Sequence, residues 1–273
     1  MQWFQYGLFT ARSKEQMKQK QRIALLGIAA VALIFAACDG DSGNNSTETE
    51  GNSSSSAGIY SSGGQGNSSP VVSGTMTDPR DGQSYKTVTI GTQTWMAENL
   101  NYADSAAMPN LKGNSWCYEN SADSCAKYGR LYTWTGAMNI AGSYQSASAT
   151  AVISAPQQGA CPAGWHVPTY AEWTTLETAV GGEDVAGTKL KSTSGWSSSG
   201  NGRDAYGFSA LPAGYRSYDG SFFSVGDDAS FWSATEYDTD YAYSRDLDYD
   251  FANMFADSHS KIRAFSVRCV QDF

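Results

Sequence analysis

Three alternating carboxylates, Asp246, Asp248 and Asp250, stand in a stretch crowded with tyrosine: Tyr237, Tyr241, Tyr243 and Tyr249. On a strand the three carboxylates would share one face. Like charges held together repel unless a cation or a base neutralises them, so calcium is the ion to consider there. The Asp-x-Asp-x-Asp spacing matches the start of an EF-hand loop, but Phe251 stands where that loop needs glycine. The simpler reading is a solvated acidic face with no cofactor. Tyrosine beside carboxylate also suits a sugar, which stacks on the ring while its hydroxyls donate to the acids. Tyr237, Tyr241, Asp246, Asp248 and Asp250 are therefore the candidate ligand-binding residues. Tyr215, Arg216 and Tyr218 lie upstream of them.

Other chemistries find little support. The chain has two histidines, His166 and His259. His166 ends Cys161-Pro-Ala-Gly-Trp-His166 just before a helix start, which reads as a structural hydrogen-bonding position. His259, in Asp257-Ser-His-Ser260, reads as a solvated loop residue. With the cysteines paired, too few ligands remain for zinc. No nucleophile, base and orienting acid stand together as a hydrolytic set, so an enzyme is not expected. The net charge of −9 argues against nucleic acid, whose phosphates need clustered Lys and Arg.

The cysteines bear on compartment. Of the five, Cys38 follows Phe35-Ala36-Ala37, which resembles a bacterial lipobox and marks Cys38 as the lipidated residue. Upstream stand Lys18, Lys20 and Arg22, then an uncharged run from Ile23 to Ala37. That run has the size of a signal-peptide core and is short of the roughly 20 residues that span a bilayer. Residues 1–37 read as a signal peptide, and a start at Met17 would give it ordinary length. Export suits two disulfides among Cys117, Cys125, Cys161 and Cys269. Three connectivities are open. In one, Cys117–Cys125 closes a tight loop and Cys161–Cys269 staples the start of the helical region to the last strand.

The elements that must position these residues follow from composition. Residues 38–74 are rich in Ser, Gly and Asn and lack Lys and Arg, which reads as a flexible linker spanning about 33 Å on average. Residues 75–273 have one composition, that of a single domain. Lys86–Ile90 and Gln93–Ala97 alternate about Gly91 as a hairpin. Tyr128–Met138 reads as a turn into a short helix. Thr169 and Glu172 form a capping box for a helix over 170–180, with Trp173, Leu176 and Val180 on one face. A second helix is expected near 187–192. Phe208–Pro212, Phe231–Glu236, Tyr241–Leu247 and Ala264–Val270 read as strands. Helices early and strands late give an α+β fold with a mainly antiparallel sheet.

Five ordered motifs resemble the Fibrobacter succinogenes major paralogous domain. They are Ile90–Tyr102, Tyr128–Trp134, Cys161–Thr169 with Glu172-Trp173, Phe231–Glu236 and Ser266–Cys269. Members of that family are largely exported bacterial proteins, many of them lipoproteins. The resemblance implies a domain related to the C-type-lectin-like fold, which also houses formylglycine-generating enzymes. An oxidase of that type would need reactive thiols at Cys161 and Cys269, and nothing marks either as one. The lectin tripeptides Glu-Pro-Asn, Gln-Pro-Asp and Trp-Asn-Asp are absent. The expected protein is a lipid-anchored component of the cell envelope, at the outer membrane or cell surface. Its lectin-like domain would bind a glycan or an envelope or extracellular protein. The alternative is a structural surface or assembly component.

Overall fold

The computed structural model describes residues 72–273. The segments read as a signal peptide, lipidated Cys38 and linker, up to residue 71, lie outside the described residues. Strand β1 already runs over Val72–Thr77, so ordered pairing begins before the boundary placed at Thr75. Its small polar residues look like linker; what makes them strand is an antiparallel register with β2, Ser84–Ile90, from Val72↔Thr89 to Thr77↔Ser84. Among the described residues no helix is long and apolar enough to cross a membrane.

The hairpin forms as expected. β2 turns through Gly91, at φ +61°, into β3, Gln93–Met96, with Ile90 opposite Gln93. Beyond it lie β4, Ser115–Trp116, helix α1, Ala122–Tyr128, and β5, Leu131–Thr133. Helix α2, Trp134–Met138, follows β5 directly, with the Thr133 hydroxyl accepting from the Gly136 N–H. The segment read as a turn into a helix thus contains a strand. β6 is Trp165–His166.

Helix α3, Tyr170–Ala179, carries the expected capping box in full. Trp173, Leu176 and Val180 are buried. Helix α4, Glu183–Leu190, starts four residues before the expected position, with Glu183 and Asp184 favoured in its first turn by the helix dipole. Glycine inside a helix costs about 1 kcal/mol relative to alanine, so Gly187 on α4 needs a reason. Its reason is packing: a Cβ at Gly187 would sit 2.2 Å from the Asn253 carbonyl oxygen.

The last part of the chain supplies β7, Ala213–Arg216, β8, Phe222–Val225, β9, Asp228–Glu236, β10, Tyr241–Asp248, and β11, Phe255–Ser260. It closes with β12, Ala264–Ser266, and β13, Val270–Gln271. Phe208–Pro212 is not a strand; only Ala210 makes an isolated bridge, to Lys191. The apolar run there is explained by burial of Phe208 and Ala210. The expected strand over 264–270 is divided, because residues 267–269 pass from one sheet to the other.

The described residues form two sheets. One has the order β1-β2-β3-β13-β6. The other has the order β11-β10-β9-β7-β12-β5-β4, with β8 on β7. Pairing is antiparallel except where β9 meets β7 and β12. The fold is thus α+β, with a few helices on mainly antiparallel sheets.

Two disulfides hold it, Cys117–Cys125 and Cys161–Cys269. Between the sheets, the Cys269 carbonyl accepts from Met96 N–H and the Val267 carbonyl from Leu100 N–H, both at 2.9 Å. Arg268 is buried between those two residues.

The disulfides close loops of very different length, with sequence separations of 108 and 8. On loop-entropy grounds, replacing Cys161 and Cys269 by Ala is expected to cost about 4–5 kcal/mol in urea unfolding, and replacing Cys117 and Cys125 about 2–3 kcal/mol. Equal losses for the two pairs would contradict this ordering.

Candidate functional site

Strand β9 organises the chemistry-bearing region. Its Trp232 carbonyl accepts from the Trp173 indole at 3.3 Å, and its Ser233 carbonyl from the Trp134 indole at 2.9 Å. Trp232 in turn donates its indole N–H to the Tyr132 carbonyl at 2.7 Å. Buried indoles need acceptors, so these bonds fix both the rings and the strand. Thr235 accepts from the Tyr170 backbone N–H, docking the first turn of α3 on β9. Glu236 accepts from buried Lys261 at 2.5 Å and from the Ala149 N–H at 2.9 Å. Burial pushes the Glu236 carboxyl up, but these donors outweigh it and hold it below its ordinary value. The motif Phe-Trp-Ser-Ala-Thr-Glu is therefore an acceptor strip.

This scaffold brings part of the tyrosine set together. Tyr237, at the end of β9, is 55% exposed. Its ring meets Tyr243 edge-on at 5.2 Å, and Tyr243 meets Tyr170 at 4.7 Å. The Arg245 guanidinium lies 4.2 Å from the Tyr170 ring centroid and donates to the Thr174 hydroxyl at 2.9 Å. Glu177 carboxylate oxygen stands 4.0 Å from its Nε. The row Tyr237–Tyr243–Tyr170 thus runs from solvent to a buried cation. Tyr241 lies outside the row; its backbone closes the β9–β10 turn by accepting from the Tyr237 and Asp238 N–H groups. Tyr249 packs on the core instead. Sequence reading missed Tyr170 and Arg245. Tyr170 is far away in the chain, and Arg245 has the ordinary look of a charge on a strand.

The acidic segment separates rather than converges. Asp246 and Asp248 are on β10, but the strand ends there and Asp250 is in the turn beyond it. Asp248 accepts from the Asp250 N–H at 2.8 Å, a local turn bond. The cation at this end of β10 is a lysine. Buried Lys191 donates to the carbonyls of Asp248 at 2.8 Å and Phe251 at 2.9 Å, with Tyr249 at 3.4 Å. Burial pulls its pKa down, and Asp248 and Asp250 only partly offset that. An ammonium thus supplies the positive charge for which calcium was considered. Asp246 turns instead to His259, which sits on β11 and is half-buried, not in a solvated loop. Pairing of β11 with β10 is what orders it.

His166 is buried, with Nδ1 2.6 Å from Asp272 and Nε2 2.8 Å from Glu172. Glu172 also receives the Thr169 N–H and hydroxyl, so one carboxylate joins the helix cap to the ring. Both ring nitrogens face acceptors, which suits imidazolium and leaves neither nitrogen to take a proton from a substrate. Burial lowers the His166 pKa, but Glu172 and Asp272 more than offset it, and the net direction is up. Burial raises Glu172, yet His166 and Thr169 bring it below its usual value.

The sequence family described as the Fibrobacter succinogenes major domain matches residues 88–271. The chain belongs to this family. No curated protein and no solved structure matches the chain. Within this Fibrobacter succinogenes major domain, the matched residues 88–271 include parts that build the scaffold: the β2–β3 turn, the His166–Glu172 cap, the β9 acceptor strip and the Arg268-Cys269 crossover.

The His166 cluster sets a pH window. With a raised folded pKa, its stabilisation is full below an unfolded value of about 6.5 and is lost as pH rises through the folded value. The lowered Glu172 contributes above its unfolded value of about 4.5 and loses that contribution as pH falls through its folded value. The unfolding midpoint is expected to fall between pH 6 and 9, and His166→Asn to remove that slope. A slope unchanged in the variant would show that another group carries it.

Proposed function

We propose that this domain binds glycans through the row Tyr237, Tyr243 and Tyr170, as an exported protein held by a lipid on Cys38 to the cell envelope. The observation that carries the reading is the exposed Tyr237 ring, met edge-on by Tyr243, which is itself met edge-on by Tyr170. An exposed aromatic held by other rings loses little entropy on binding and offers a flat face to a sugar ring. Exposed Thr174 behind the row, and Asp238 and Asp240 in the adjoining turn, offer polar partners for hydroxyls, while buried Arg245 holds Thr174 and Tyr170 in place. Tyr241, Asp246, Asp248 and Asp250, expected as ligand residues, become support or separate features in this reading. Kinship with C-type-lectin-like domains agrees with the paired cysteines and the mixed α+β build. This reading needs no calcium, since the row is made of rings and the Lys191 ammonium lies by Asp248 and Asp250.

The second reading is a surface or assembly component that binds protein. It is favoured by β8, where Phe223 and Val225 are exposed beside Tyr218. An apolar edge strand of this kind fits strand addition by a partner.

Pull-down of the purified chain on insoluble cellulose, xylan and peptidoglycan separates the two. Retention on at least one polymer is expected, equal with calcium and with EDTA. Tyr237→Ala should weaken it about tenfold, a loss of about 1.4 kcal/mol, without moving the unfolding midpoint. No retention on any polymer, or full retention by Tyr237→Ala, would remove the glycan reading; retention would then be sought on envelope proteins.

A further inference from the structure

His259 has no place in the tyrosine row, yet it stands between two carboxylates. Its Nε2 is 3.4 Å from Asp246 Oδ2 and 3.8 Å from Asp257 Oδ2. Among the described residues, these are the three side chains of ligand type whose donor atoms lie within 4.8 Å of one another. Both separations are longer than a good hydrogen bond. They come close to the spacing of neighbouring donors around a four-coordinate ion, where bonds of about 2.0–2.2 Å place donors about 3.3–3.5 Å apart.

An independent observation points to a missing partner. Asp246 Oδ1 is closed to solvent and accepts no hydrogen bond. Oδ2 is supplied by the Ser244 hydroxyl at 2.7 Å and faces His259, and Ser230 also stands beside the carboxylate. A buried carboxylate oxygen without a donor is costly, and cation binding to that group offsets the cost. The site is reachable, because the Asp257 side chain is 55% exposed and the His259 side chain 16%. Water from that side can complete the coordination.

We infer that Asp246, Asp257 and His259 form a binding site for a divalent first-row transition cation of the zinc class. One imidazole and two carboxylates suit such an ion, whereas calcium takes six to eight oxygens. The site lies on the face of β10 opposite Tyr243 and Arg245, since neighbouring residues alternate. It is independent of glycan binding. It departs from the expectation that zinc would have too few ligands once the cysteines are paired. That count assumed cysteine or clustered histidine, and the β10–β11 pairing that gathers this set is invisible in sequence. His166 does not compete, because Glu172 and Asp272 already engage both of its nitrogens.

The test titrates the untagged full chain, stripped with EDTA and then freed of it, with Zn²⁺ by calorimetry and with Co²⁺ by visible absorption. One saturable equivalent of Zn²⁺ is expected, with new visible bands for Co²⁺ and no binding of Ca²⁺ in the same range. His259→Gln and Asp257→Asn should each weaken Zn²⁺ binding at least tenfold. Both positions lie on edge strand β11, and near-ultraviolet circular dichroism checks their folding; exposed Asp257 decides the matter if His259→Gln unfolds. Absence of a saturable equivalent, or equal affinity in folded His259→Gln, would overturn the inference.

Discussion

A buried cation without a carboxylate partner lies where the two sheets meet. Arg268 is 1% exposed. Its guanidinium donates to the Asn99 side-chain oxygen at 2.7 and 3.0 Å and to the Met96, Phe208 and Ser209 carbonyls. The Phe208 ring centroid lies 4.5 Å from it. Burial pushes its pKa down to about 9, with Glu98 and Asp204 opposing that from a distance, so it stays charged at neutral pH. One side chain thus ties the segment after β3, the segment before β7 and the final crossover. Cys269 beside it fixes the same crossover to Cys161 by a covalent bond. A planar group with five donors is suited to this task in a way that lysine is not.

The rest of the domain depends on that crossover. With residues 267–269 held, β12 lies between β5 and β7 and also bridges β9, while β13 lies between β3 and β6. β9 then sits where its carbonyls meet the indoles of α2 and α3, and its end projects Tyr237. The tyrosine row is therefore a consequence of core closure, built from a ring just past the end of β9 and rings on β10 and α3. Lys261 and Lys191 repeat the theme. Each is a buried ammonium on backbone carbonyls, with Glu236 added for Lys261. Stability and display are thus joined: loops are anchored by internal cations, and the Tyr237 ring is left exposed.

Legibility followed the range of the physical signal. The hairpin about Gly91 and the Thr169–Glu172 capping box are local, and both were readable from a few neighbouring residues. The disulfide count followed from four cysteines and an expectation of export, while the pairing needed the fold. Phe208–Pro212 looked like a strand because burial and strand formation leave the same apolar signature. His259 looked solvated because polar neighbours surround it in sequence; only pairing with β10 shows its other side. Asp246, Asp248 and Asp250 looked like one set because alternation was carried past the end of the strand. Lys191, which satisfies the carbonyls there, is too distant in sequence to be connected to them. Buried Arg245, Lys261 and Arg268 share that difficulty, since a charge gives no local sign that it is internal.

The most direct test of the crossover as the organising constraint is the unfolding free energy of Arg268→Met, measured by urea titration at pH 7 with the disulfides intact. Methionine fills similar volume but leaves the Asn99 oxygen and the buried carbonyls without donors. A loss of about 3 kcal/mol or more is expected. A loss below about 1 kcal/mol, within the range of an ordinary surface change, would contradict the central place given to Arg268.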